Sequence, residues 1–195
     1  MRILIIFITI FLLTFNIEAK EYNSVHGFTL QIPDNYFVIS SINSAEVVKD
    51  LKQQGYNSPY LKTLNTDLNF EYFINNNDLH LEFPDEININ SEIQNFVSIE
   101  NFDLNQYCTG MQQGVSQMAM RNLKQFVCEL SDLPAKMIGK SFHTLTESIY
   151  SEDEKTEQYQ FFATKNQLVT VSLNCFIDSC ENSSRVLSNL LKSMK

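Results

Sequence analysis

Residues 168–194, LVTVSLNCFIDSCENSSRVLSNLLKSM, decide the fold of this chain. In the first half Val169, Val171, Leu173, Cys175 and Ile177 alternate with Thr170, Ser172 and Asn174, the period of two that turns one strand face to a core. In the second half, from about Glu181, Val186, Leu187, Leu190, Leu191 and Met194 recur at helical spacing. Asp178 and Glu181 near its start and Lys192 and Lys195 near its end suit the helix dipole. A strand with one apolar face that runs straight into a helix with one apolar stripe buries both by folding the helix onto its own sheet.

Upstream, alternation at Phe126, Cys128 and Leu130, at Met137–Tyr150 and at Gln158–Ala163 predicts successive antiparallel strands, joined by turns at Ser151–Lys155 and Lys165-Asn166. Leu104, Cys108, Met111, Val115 and Met118 predict a helix near 103–120; it is too rich in Gln to enter a bilayer, so Gly110 and Gly114 read as close packing on a sheet. Leu68, Phe70, Tyr72 and Ile74, then Asn75–Asp78, then Leu79, Leu81 and Phe83 read as a β-hairpin. Residues 84–101 lose the period and read as a long loop carrying Ile87, Ile89, Ile93 and Phe96, a partner surface if exposed and core if buried. Residues 55–67, with Pro59, read as a loop with a helical turn at 60–64.

Near the start, Asn43 and Glu46 form a capping pattern, Val47, Val48 and Leu51 give an apolar face, and Gly55 ends the helix. His26–Ile32, Pro33-Asp34-Asn35 and Tyr36–Ser40 read as a hairpin-like opening. The sum is an α+β domain, an antiparallel sheet covered by helices on both faces as an α/β/α sandwich.

The opening His26-Gly27-Phe28-Thr29-Leu30-Gln31-Ile32-Pro33-Asp34-Asn35-Tyr36 resembles the start of the PsbP-like superfamily. Tyr159–Ala163, Leu168–Leu173 and Val186–Met194 resemble its paired late strands and its final helix, with Ser193-Met194 as the closing serine and apolar residue. The resemblance covers most of residues 20–195 and implies the PsbP-like sandwich. It also implies a non-catalytic accessory or assembly protein that binds a partner. The four cysteines and the Asn-rich middle depart from that pattern.

Met1 and Arg2 precede an apolar run, Ile3–Phe15, shorter than the roughly 20 residues that span a bilayer, and Ile17-Glu18-Ala19 follows. This reads as an export signal, residues 1–19, cleaved after Ala19, with residues 20–195 as a single domain in the periplasm or secreted. No membrane insertion is expected after cleavage. Arg2 and Glu18 cancel, so the exported part keeps the net charge of -9, which repels nucleic-acid backbones. Cys108, Cys128, Cys175 and Cys180 are an even set, and in an exported chain they predict disulfides. Three pairings are open. Cys175 with Cys180 and Cys108 with Cys128 are preferred because each joins a strand to a neighbouring helix, and the wider loop is worth about 3 kcal/mol. The C-x4-C spacing is poor for zinc.

No phosphate loop, H-E-x-x-H, G-x-S-x-G, C-x-x-C or EF-hand loop is present. Catalytic, metal and cofactor residues are therefore not assigned. His80 and Glu82 on one strand, with Glu71 opposite, form the strongest scattered cluster, and His143 with Glu147 a second; each also fits a solvated sheet face. The acidic run Glu152, Asp153, Glu154 and Glu157 reads as a solvated turn. Asn182-Ser183-Ser184 is a glycosylation acceptor in a eukaryotic host. The expected function is a non-catalytic binding or assembly factor whose partner is another envelope protein. The alternative is a metal-dependent or hydrolytic enzyme built on His80, Glu82 and Glu71.

Overall fold

Alternation along the chain produces nine strands, and the helical stripes produce three α-helices, in a computed structural model that describes residues 19–56, 70–81, 84–93, 102–118, 123–132, 144–149, 154–164 and 166–195. The apolar run read as an export signal lies outside these residues. In order come β1 (Ala19–Asn23), β2 (Thr29–Pro33), β3 (Tyr36–Ser40), α1 (Ser44–Gln53), β4 (Phe70–Asn75) and β5 (Glu86–Ile93). Then follow α2 (Leu104–Met118), β6 (Gln125–Leu130), β7 (Thr144–Ile149), β8 (Glu154–Phe162), β9 (Gln167–Phe176) and α3 (Ile177–Ser193).

β3 to β9 form one antiparallel sheet in the order β3-β4-β5-β9-β8-β7-β6, while β1 and β2 pair only with each other. The early pattern 26–40 is thus not a hairpin. Pro33 ends β2, and the turn after it sends β3 into the large sheet beside β4. The true opening hairpin is β1–β2. Ser24 and Gly27 close its turn, with Gly27 N donating to the Ser24 carbonyl at 3.1 Å, and the φ of +91° at Gly27 is one that a residue with a Cβ rarely adopts.

β1–β2 and α3 cover one face of the sheet. There Phe28, Leu30 and Ile32 join Phe73, Ile87, Ile89, Tyr159, Phe161, Val169, Val171 and Leu173, and Leu187, Leu190, Leu191 and Met194 of α3, in one core. Each fully buried Leu or Ile among these contributes roughly 1.5–3 kcal/mol. Beyond α3 the chain closes on β2: Lys195 and Thr29 exchange backbone hydrogen bonds, and the Ser193 hydroxyl accepts from Gln31 N at 2.8 Å. α1 covers the opposite face at β3 and β4, where Leu51 packs with Ile39, Tyr72, Ile74 and Leu79. Gly55 and Tyr56 donate to the carbonyls of Lys52 and Leu51 and end that helix, as the glycine predicts. Asn43 stands before α1, but its side chain turns back to accept from Ser40 N instead of capping the helix.

Three further expectations change. The segment after β4 is a short 3-10 turn, not a hairpin strand, and β4 pairs with β3 on one side and β5 on the other. β5 falls in the stretch read as a loop, and its Ile87 and Ile89 are core while Ile93 is exposed. α3 begins at Ile177, so that residue is an exposed helix start and not the end of the core strand. Phe96 and residues 57–69 lie outside the described residues.

Candidate functional site

The alternation of β4 turns Glu71 toward the face covered by the β1–β2 hairpin, where it is fully buried. Its carboxylate accepts from Tyr22 Oη at 2.6 Å, Ser24 Oγ at 2.6 Å and Val25 N at 2.9 Å, all donors of the hairpin. His26, in the same turn, holds a ring that is 3% exposed; its Nε2 lies 3.9 Å from Glu71 Oε2 and its Nδ1 lies 2.9 Å from Ser91 Oγ of β5. Gln167 Nε2 at the start of β9 donates to the same Ser91 oxygen at 3.3 Å. Burial, then the hydrogen bond and charge of Glu71, hold the Tyr22 phenol well above its usual range. Burial pushes His26 below the usual imidazole range, against Glu71 and the Ile89 carbonyl, which favour the charged ring.

A second buried carboxylate, Glu157 of β8, sits under α3. It accepts from Tyr159 Oη at 2.9 Å and from Ser184 Oγ at 2.8 Å, and Lys155 Nζ lies 3.4 Å away. The same ammonium donates to Glu147 of β7 at 2.7 Å. Burial opposes the charge on Lys155, but its bond to Glu147 and the two carboxylates outweigh burial and raise it above its usual range. Burial first, then Glu157, raises the Tyr159 phenol.

At the start of α3 an open cleft of about 450 Å³ is lined by Asp78, Asp85, Asp178, Glu181 and Arg185 among others. Asp85 accepts there from Ser179 at 2.8 Å and from Ser183 at 2.7 Å, which ties the segment before β5 to the helix. Burial and the charge of Asp85 raise Asp78 above the usual carboxylate range. The nearby Tyr36 phenol is pushed up to about 12 by burial, with Asp78 and Asp85 adding.

The predicted cluster of Glu71, His80 and Glu82 does not assemble. Glu71 is buried under the hairpin, His80 is exposed in the turn after β4, and Glu82 lies outside the described residues. Among the described residues no group of three or more His, Cys, Asp or Glu is placed to hold a metal. Glu147 meets Lys155, while His143 lies outside the described residues. The acidic run is not a plain solvated turn: Glu154 and Glu157 lie in β8, Glu157 is buried, and Glu152 and Asp153 are outside the described residues. Cys108 is joined to Cys128 and Cys175 to Cys180, with Cα separations of 5.7 and 5.2 Å. The first links α2 to β6; the second ties the end of β9 to the first turn of α3. His26, Ser91 and the burial of Glu157 escaped the sequence reading. A His beside a glycine turn was the available signal for the first.

Among the described residues no helix is long and apolar enough to cross a membrane. No protein-family model and no curated protein sequence matches the chain. Solved structures do. Cyanobacterial PsbP (CyanoP) from Synechocystis superposes with a TM-score of 0.53 at 8% identity, covering 92% of this chain and 92% of that one. The Ran-binding protein Mog1p of Saccharomyces cerevisiae gives 0.53 at 10% identity over 92% of this chain and 95% of that one. A mutant of the protein Mog1 gives 0.50 at 10% identity over 91% and 95%. Likeness at such low identity speaks for architecture alone, and the architecture of this chain, an antiparallel sheet between helices, is the α+β PsbP-like fold that PsbP and Mog1 share.

Proposed function

We propose that this protein is an exported, non-catalytic binding factor of the cell envelope whose partner is another protein. The observation that carries the reading is how the buried ionisable groups are used. Glu71 and Glu157 spend their lone pairs on tyrosine, serine and backbone donors that hold the hairpin and α3 to the sheet. Groups consumed in this way stabilise a rigid surface and leave little to move protons on a substrate. The Ran-binding Mog1p, of the same fold, supports a protein partner by analogy. Two disulfides support an oxidising compartment, and the apolar run before Ala19 supports export with Lys20 as the first mature residue.

Fractionation with sequencing of the mature N-terminus, followed by cross-linked affinity capture from the envelope, tests this. A chain beginning at Lys20 in the envelope, with one stoichiometric protein partner, is expected. An intact chain in the cytoplasm, or turnover of a substrate by the purified protein, overturns it.

One observation favours a hydrolase instead. Ser91, His26 and Glu71 stand in the order of nucleophile, base and carboxylate. The ring is almost wholly buried, which leaves a substrate no path to the base, and the binding reading is stronger for that reason. A fluorophosphonate probe labels Ser91 if the hydrolase reading holds and leaves it unlabelled if ours does.

A further inference from the structure

The His26 ring joins the hairpin turn to β4 and β5. Ser91 Oγ accepts from Gln167 and pairs with His26 Nδ1 at 2.9 Å, as donor or acceptor according to the tautomer of the ring. Nε2 is buried without a hydrogen-bond partner, 3.9 Å from Glu71 Oε2. Around the ring stand Glu71 of β4 with its donors Tyr22 and Ser24, Ser91 of β5 with its donor Gln167 of β9, the Ile89 carbonyl, and the Phe28 ring stacked at 6.1 Å. Glu71 is the acidic side chain beside the ring, and the hairpin already occupies it with three donors. A second proton on the ring places a cation on a side chain that is 3% exposed and whose Nε2 has no hydrogen-bond partner.

We propose that His26 is an acid-sensitive latch: neutral, it completes a chain from β9 through β5 to the hairpin turn, and protonated, it weakens the docking of the β1–β2 hairpin on the sheet. The direction of its proton affinity agrees, since burial holds the ring below the usual imidazole range. A group with a lowered folded value binds more protons once undocked, so its contribution to docking is full above the ordinary imidazole range and is lost as the pH falls through and below it. Undocking removes Phe28, Leu30 and Ile32 from the core and bares Phe73, Ile87 and Ile89. The latch does not depend on the binding reading.

Hydrogen exchange of the oxidised protein at about pH 7.5 and about pH 5, corrected for intrinsic rates, tests it. Amides of β1 and β2 are expected to lose about three- to tenfold in protection in acid while those of β9 hold, and His26→Gln to remove the difference. Equal protection of the hairpin at both pH values overturns the latch, as does an unchanged acid effect in His26→Gln. Should that variant fail to fold, the His26 ring titration by NMR in the native protein decides. A midpoint below the ordinary imidazole range supports the latch; one at or above it overturns the latch, because Glu71 then tightens on the charged ring.

Discussion

Glu71 and Glu157 are two carboxylates buried on the same face of one sheet, and they are held in opposite ways. Glu71 is surrounded by the uncharged donors of a single hairpin, whereas Glu157 shares a lysine with Glu147 and takes a serine from α3. Each also accepts from a tyrosine whose phenol is raised by burial and by that carboxylate. The difference teaches what each site does for the fold. Around Glu71 the carboxylate organises the hairpin, since three of the hairpin's donors converge on it. Around Glu157 the charges balance locally between β7 and β8, and the helix adds one bond to an arrangement the strands already make.

The largest effect that would break this comparison is Glu71→Ala. It strands the buried Ser24 hydroxyl, worth about 1–3 kcal/mol when unsatisfied, and the half-buried Tyr22 hydroxyl and Val25 N–H, each worth about 1 kcal/mol, so a total loss of about 3–5 kcal/mol is expected by chemical denaturation. Exchange should quicken first at Tyr22–Asn23. A loss below about 1 kcal/mol would mean that apolar packing alone docks the hairpin, and the two carboxylates would then be equivalent.

A smaller change sharpens the other half. Lys155→Met keeps the stem and removes the ammonium, leaving Glu147 and Glu157 facing each other without a cation. The side chain is 20% exposed, so the pair is part-screened and the expected loss is about 1–2 kcal/mol. The sign with pH is fixed by the raised value of Lys155: its contribution is complete below the ordinary lysine range and fades only as the pH rises through its own higher value. The native protein should therefore lose its advantage over Lys155→Met in strong alkali and keep it at neutrality. A constant difference across that range would remove the lysine from the account of Glu157.

Much of the fold was legible because its elements bury faces of regular period. Val169, Val171 and Leu173 and the stripe of α3 read directly, as did Phe28, Leu30 and Ile32. β5 did not, because Asn88 and Asn90 alternate with Ile87 and Ile89 in a segment opened by Pro84 and followed by further polar residues; the period of two was there but brief. Leu79 and Leu81 imitated it with no strand behind them. β1 was hidden by its position beside the apolar run, and its absence made β2 and β3 look like partners. Glu71 stood out in the sequence, but its partners lie 46 to 49 residues upstream, and no local pattern reports a contact of that span.

The smallest expected effect concerns His80, the residue that the sequence placed with Glu71. The two are separated by the end of β4 and the 3-10 turn, and His80 is exposed while Glu71 is sealed under the hairpin. An exposed turn residue away from a cap, a core or a buried charge changes stability by no more than about 0.5 kcal/mol. His80→Ala should therefore unfold with the native protein, and its hairpin exchange should keep the native pH dependence. That second readout separates the two histidines. If His80→Ala flattens the acid response and His26→Gln does not, the titrating group lies in the turn after β4, and Glu71 is a static anchor like Glu157.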